Sequence, residues 1–442
     1  MSNHSEASSE ASSEALSEAP SEAIAANARL IYPFGALRPV PERAAAVAAP
    51  PYDVLSTAEA RQQASGKPLS FLHISKPEID LPEGTDPFTD AVYAKGHENI
   101  RRMIDDGVLI RDPAPCYYVY RLTMGEHSQT GLVAVAPVAA YDDNRVRRHE
   151  FTRPDKEDDR VRQIDSVDAQ TGPVLVVHKP REDISAILSE ITATPPLYDV
   201  TLADGGGVGH TVWLVDDAVR IDEIDAAYGA LDLLYIADGH HRSAAASRVT
   251  GIRRDGNPNH SGDEAYNRFL IVAFPADQVR ILDYNRVVRD LNNLSPAAFL
   301  DRLSKDFEVT PSVDPVRPDQ PHTFGMYLGG DWYRLTALSS PAATAAPLER
   351  LDVGLLSDLV LAPVLGIGDL RTDRRIDFVG GSRGLEGLAA RVDSGEWAVA
   401  FALYPTGIGD LMAVADAGEV MPPKSTWFDP KLADGLVSYP LD

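Results

Sequence analysis

The sequence predicts a mixed α+β fold of the α/β type, built as two lobes. Three observations predict it. Short β-branched and aromatic runs recur along the chain, and stretches with helical spacing of apolar residues stand between them. Proline and glycine punctuate the boundaries. Near residue 291 strand–helix alternation gives way to a helix followed by a run of strands. The length of 442 residues fits two or three domains at about 150 residues each.

Residues 1–28 stand outside the predicted fold. Ser-Glu-Ala recurs from Ser5, Ser9, Ser13, Ser17 and Ser21, with almost no large apolar side chain. Such a segment cannot offset its ordering entropy and is expected to be disordered or transiently helical. The first lobe is expected over 29–290. Ala49-Pro50-Pro51-Tyr52-Asp53 reads as a rigid extended loop, because proline fixes its own φ and biases its predecessor away from helix. Helices follow over Thr57 to Ser65 and Pro87 to Asp106, the second closed by Gly107. Cys116 to Leu122 and Gly131 to Ala139 read as strands joined by a polar turn.

Lys156 to Val167 reads as a polar helix, Pro173 to Val177 as a strand and Ile184 to Thr192 as a helix. Thr211 to Val215 is an expected strand and Ile221 to Leu231 an expected helix. Leu233 to Ala237 is a strand that runs through a glycine into a helix from His240 to Val249, and Arg268 to Phe274 is a buried strand. The second lobe is expected over 291–442. It opens with a helix from Pro296 to Phe307, continues through strands at His322 to Leu328 and Trp332 to Leu338, and contains an Ala/Pro-rich loop over Ser339 to Pro347.

Composition narrows the partners. Asp plus Glu is 66 against 41 Lys plus Arg, a formal charge of −25. Nucleic-acid and anionic-membrane binders need a basic face, so neither is an expected partner. The single cysteine, Cys116, cannot form an internal disulfide and fits a reducing compartment. There is no basic-then-apolar leader and no run of roughly 18 apolar residues, so the expected location is the cytoplasm.

The strongest chemical signal is Ala237-Asp238-Gly239-His240-His241-Arg242, where an apolar strand ends and a helix begins. The first amides of a helix lack internal acceptors and, with the helix dipole, form an anion site. Arg242 can clamp a phosphate, and His240 and His241 can donate hydrogen bonds or move a proton. The plainer reading makes Asp238 a helix cap and the histidines surface residues.

The second signal is the charged run from Arg147 to Arg160. Glu150 is a candidate general base, flanked by Arg148, His149 and Arg153, which would keep it ionised. Asp155 and Asp159 lie one helical turn apart, so both can face one Mg²⁺. The plainer reading is a solvated loop opening a helix. Weaker signals are Tyr52 and Asp53, Asp283-Tyr284-Asn285-Arg286, the Gly380–Gly384 loop, which lacks P-loop lysine spacing, and Lys424 in Pro422-Pro423-Lys424-Ser425-Thr426. Nothing in the spacing of His149, His178, His240 and His241 demands a metal.

Arg38-Pro39, Ala49-Pro50-Pro51-Tyr52-Asp53, Arg148-His149-Glu150 with Thr152-Arg153 and Asp155-Lys156-Glu157, Ala237-Asp238-Gly239-His240-His241-Arg242, Asp283-Tyr284-Asn285-Arg286 and Met421-Pro422-Pro423-Lys424-Ser425-Thr426 resemble the bacterial and archaeal domain-of-unknown-function family 1015. The likeness covers nearly everything after residue 29, and the family name carries no activity. Asp-Gly-His-His-Arg also resembles the phosphate-binding motif of the ParB/sulfiredoxin-like superfamily, and most closely that of kinases acting on free serine. The resemblance implies a ParB/sulfiredoxin-like first lobe and a small-molecule kinase using ATP or ADP with Mg²⁺ on a hydroxyl substrate, L-serine first.

The candidate catalytic residues are then Glu150, Asp238, His240 and His241. Gly239, Arg242, Arg153 and Lys156 would hold the nucleotide, and Asp155 and Asp238 the metal. Asp238, His240, His241 and Arg242 are carried by the motif; Glu150 is nominated on chemistry alone. The alternative is a non-enzymatic nucleotide-binding regulator of the ParB-like type, although no basic helix-turn-helix is visible. A sulfiredoxin-like reductase would need a cysteine near the motif, and Cys116 is not adjacent to it. The sequence sets no oligomeric state.

Overall fold

The computed structural model describes residues 29–203, 206–342 and 344–442. The tail expected to be disordered, 1–28, lies outside them. The fold is mixed α+β, with an eight-stranded mixed sheet in the first lobe and a six-stranded sheet in the second.

Across the first sheet the strands run in the order Val146–Arg147, Leu234–Asp238, Val174–His178, Arg268–Pro275, His127–Pro137, Tyr117–Met124, Val208–Val215 and Tyr198–Leu202. Both faces are covered, which is why its strands read as continuous apolar runs. Tyr117, Val119, Val174, Val176 and Ile236 point to one face and pack against helices Glu182–Thr192 and Ala218–Gly229. Tyr118, Tyr120, Leu175, Val177 and Tyr235 point to the other and join the main core. The hairpin Tyr117–Met124 and His127–Pro137 is longer than its apolar centre suggested. Its polar end, Thr123 to Thr130, pairs because the ladder continues regardless of side chain. Gly131 lies where a Cβ would sit 2.7 Å from the Ala273 carbonyl oxygen, so only glycine lets these strands approach.

The second sheet is antiparallel throughout, in the order Phe307–Ser312, Asp331–Ala337, Thr323–Leu328, Val399–Ala402, Tyr284–Val288 and Ile376–Gly380. Helix Gly384–Asp393 covers one face through Leu388 and Val392. On the other face Val288, Met326 and Phe401 join the same cluster as Tyr118 and Val272, so the lobes share a core. A division at 290 cuts between strand Tyr284–Val288 and the rest of its sheet.

The end of the chain returns to the first lobe. Asp434 exchanges backbone hydrogen bonds with Ala49, and Ser438 with Leu37. Tyr439–Pro440 pairs with Ala169–Gln170. Leu432, Leu436, Val437 and Leu441 are buried there. Burial of each such side chain is worth about 1.5–3 kcal/mol, which is what holds an otherwise irregular segment in place.

Candidate functional site

The strand Leu234–Asp238 is buried to its last residue, and Gly239 turns it into helix His240–Gly256. Gly239 has φ +103°, and a Cβ there would lie 3.0 Å from Arg242 Nε. The conformation favours glycine, and a side chain there would also press on the Arg242 guanidinium. Gly239 itself occupies the cap position, with no side-chain cap hydrogen bond, so the plain reading of Asp238 as helix cap does not hold.

His149 and Glu150 arrive beside this turn for a topological reason. Val146–Arg147 pairs in parallel with Leu234–Tyr235, so the residues after Arg147 run alongside the end of the Asp238 strand. The His149 and His240 rings meet edge to face, with centroids 4.4 Å apart. One ligand-type atom from each of His149, Glu150 and His240 lies within 4.8 Å of the others. Burial pushes the His149 imidazole down to about 4 and lowers His240 well below the ordinary histidine value, so both rings are neutral at pH 7.

The groups that act on Glu150 are not the ones next to it in sequence. Burial raises its carboxyl above the usual value, against Lys424 and Lys431. The flanking arginines are engaged elsewhere: Arg148 lies over the Tyr141 ring at 4.9 Å, and Arg153 binds Asp155 at 2.8 Å.

The two lysines come from the C-terminal segment. It is pinned where the Met421 amide donates to the His149 carbonyl at 2.8 Å. Lys424 then lies 5.6 Å over the Tyr284 ring, and Lys431 reaches Asp238 Oδ1 at 3.4 Å. Trp427 packs against Gly380, where a Cβ would sit 2.7 Å from the indole, so the glycine at that position makes room for the ring. Burial opposes the Asp238 charge, but Lys431 and Arg242 outweigh it and hold the carboxyl well below the usual range.

Arg242 does not present an open fork. It donates to the Pro173 carbonyl and to Asp238 Oδ2, the latter at 3.1 Å. With Tyr52, Arg160 and Asp434 it lines a cavity of about 20 Å³, room for a single water. Asp434 is buried and accepts from the Tyr52 amide at 3.2 Å, and burial pushes its carboxyl up to about 7. Arg160 stacks on Tyr52 at 3.9 Å. Thus Tyr52 of the proline loop does reach the site, while Asp53 is exposed. A larger groove of about 400 Å³, lined by Ala45, Lys67 and Thr201, contains none of these groups.

Several predicted residues lie apart. Asp155 is exposed on Arg153, while Asp159 turns to Arg160 at 2.7 Å and the Tyr93 hydroxyl at 2.9 Å. The two carboxylates are separately neutralised and do not form a shared metal site. Among the described residues, the one group of three or more metal-type side chains contains neither Asp155 nor Asp238. Lys156 is exposed and lies over Phe88 at 5.5 Å. Arg153 reaches the site only through its backbone amide, which donates to His241 Nε2 at 3.1 Å. His178 is buried elsewhere, against Tyr228. Asn285 and Arg286 are interior strand residues. Cys116 is buried and its thiol is pushed up by burial, the reverse of a reactive thiolate. Lys431 and Asp434 were missed by sequence reasoning, for nothing local marks them.

Fold and site together define a mixed α+β protein with a buried imidazole–carboxylate centre at a strand-to-helix turn, covered by lysines from its own C-terminal segment. The chain belongs to the family described as protein of unknown function (DUF1015), whose model matches residues 31–354. No curated protein matches it. Among solved structures it is similar to "Free serine kinase in complex with AMP", at 14% identity and a TM-score of 0.34, over 67% of this chain and 86% of that one. It is also similar to "Conserved hypothetical protein from Pyrococcus furiosus", at 13% identity and a TM-score of 0.34, over 69% and 94%. A third is "SbnI with C-terminal truncation from Staphylococcus aureus", at 12% identity and a TM-score of 0.36, over 69% and 86%. No described helix is long and apolar enough to cross a membrane.

Proposed function

We propose that the chain is a small-molecule kinase, transferring a phosphoryl group from ATP or ADP to a hydroxyl compound, with free L-serine the first acceptor to test. The observation that carries the reading is the convergence of Glu150 on the helix N-terminus that opens at His240. Phosphoryl transfer asks a protein mainly for positioning and charge neutralisation. The first-turn amides of that helix, with Lys424 and Lys431, supply positive potential for phosphate oxygens. Glu150 accepts the hydroxyl proton; its raised proton affinity suits a general base. Asp238 holds Lys431 and Arg242 in place. Both its oxygens are engaged by these cations, so the residues present do not make a Mg²⁺ site by themselves, and Mg²⁺ would arrive on the nucleotide phosphates.

The test is phosphorus NMR of the full chain with ATP or ADP, Mg²⁺ and a panel of hydroxyl compounds including L-serine. A phosphorylated acceptor is the expected product. Thermal shifts run in parallel, since a nucleotide at about 100 times its Kd stabilises by roughly 2.7 kcal/mol. Absence of binding by both nucleotides overturns the reading. Binding without transfer to any acceptor favours a nucleotide-sensing regulator.

A further inference from the structure

We infer that His149, Glu150 and His240 form a binding site for a borderline transition-metal ion of the Zn²⁺ type. One ligand-type atom from each lies within 4.8 Å of the others. Around bound zinc such atoms are roughly 3.4 Å apart, so side-chain rotations of about an ångström close the site.

A second observation points to a ligand. The His149 side chain is 1% exposed, and neither ring nitrogen makes a hydrogen bond of ordinary geometry; the Ile236 backbone, which favours the protonated ring, can engage only one of the two nitrogens. An unmatched buried polar group costs about 1–3 kcal/mol, which coordination would offset. His240 Nε2 meets only the His149 amide at 3.5 Å, where little of a hydrogen bond remains. Two neutral imidazoles and one carboxylate suit Zn²⁺ and its neighbours, whereas Mg²⁺ prefers oxygen throughout. Three protein ligands leave a fourth position for water or a phosphate oxygen.

The site is preassembled by topology. The parallel pairing of Val146–Arg147 with Leu234–Tyr235 delivers one histidine and the carboxylate, and the Gly239 turn delivers the other histidine. The inference stands on this geometry and does not need the kinase reading. The two meet at Glu150: a carboxylate bound to a metal cannot accept a proton, so an occupied site would inhibit the proposed transfer.

The experiment titrates metal-free full chain with Co²⁺, without nucleotide, and follows visible d–d absorption. We expect stoichiometric binding in a low-coordinate site and displacement of Co²⁺ by Zn²⁺. Glu150→Gln and His240→Gln should each weaken binding by at least the roughly 10–100-fold that loss of even a supporting partner costs. His97→Gln, whose ring sits on the Ser166 carbonyl, should leave it unchanged. If His240→Gln fails to melt cooperatively, the nearly isosteric Glu150→Gln decides. No stoichiometric Co²⁺ or Zn²⁺ binding by the wild type, or unchanged affinity in Glu150→Gln, overturns the inference. Because nucleotide is absent, that failure leaves the kinase reading standing, and absence of phosphoryl transfer leaves this one standing.

Discussion

Lys431 Nζ stands 3.4 Å from Asp238 Oδ1, joining the C-terminal segment to the end of the second strand in the order of the first sheet. Arg242 holds the other oxygen of the same carboxylate. The closure of the site therefore depends on residues that follow every strand of the second sheet in sequence.

Replacing Lys431 with Met should lower stability by about 1–3 kcal/mol at neutral pH, the worth of a charge-assisted contact that is mostly shielded from water. The sign follows from Asp238. Its folded carboxyl is held below the ordinary value, so its stabilisation is present above the ordinary aspartate range and is lost as pH falls through the folded value. Urea unfolding of both proteins should show a deficit at pH 7 that shrinks in acid. A deficit equal at all pH values would mean that Lys431 acts by packing alone.

Asp434 predicts a pH dependence of the opposite sense. Its folded carboxyl is pushed up to about 7, above the ordinary value of about 3.9. Between these values the native state keeps a proton that the unfolded chain has lost, so stability falls as pH rises and levels off above about 7. Asp434→Asn can keep the bond from the Tyr52 amide and carries no charge. Its melting temperature should be flatter than that of the wild type from pH 5 to 8. An unchanged slope would assign the effect to another group.

Gly239→Ala should cost about 1–3 kcal/mol. The φ of +103° is strained for alanine, and the new Cβ would press on Arg242 at 3.0 Å. Because Arg242 supports Asp238, nucleotide affinity should fall along with stability. Wild-type unfolding curves for this variant would show that the turn can relax.

Glu150→Gln keeps the shape of the side chain but cannot accept a proton. Under the proposed function it should lower turnover by about 10²–10⁴-fold while leaving nucleotide affinity near wild type. Turnover within a few-fold of wild type would remove Glu150 as the base.

The strands buried on both faces were legible in the sequence. Leu234–Asp238 and Arg268–Pro275 are apolar along their length, and a core of that kind writes itself into local composition. Tyr198–Leu202 was not legible, because it is an edge strand in which Asp199 and Thr201 face solvent. Asp283-Tyr284-Asn285-Arg286 reads as polar residues beside a strand, and Tyr284 to Arg286 lie within the strand Tyr284–Val288. Asn285 is buried there with a tertiary partner, the Leu403 amide, which donates to its Oδ1; Arg286 is buried with a local bond to the Tyr284 carbonyl and its guanidinium 4.7 Å over the Phe378 ring.

The site divides in the same way. The sequence by itself determined the strand, Gly239 and the helix that presents His240, because that arrangement depends on neighbours within a few residues. It also singled out Glu150 and Lys424. Tertiary structure alone decided that His149 and Glu150 stand beside His240, that Lys431 and Asp434 belong to the site, and that Asp155 and Lys156 do not. It also changed which groups act on Glu150: burial and Asp238 raise its carboxyl, and Lys424 and Lys431 oppose them. Adjacent arginines suggested an ionised carboxylate, yet their flexible side chains found other partners. What sets a proton affinity is the burial and charge around the folded group, and burial follows from how the chain closes on itself rather than from which residues are next in line.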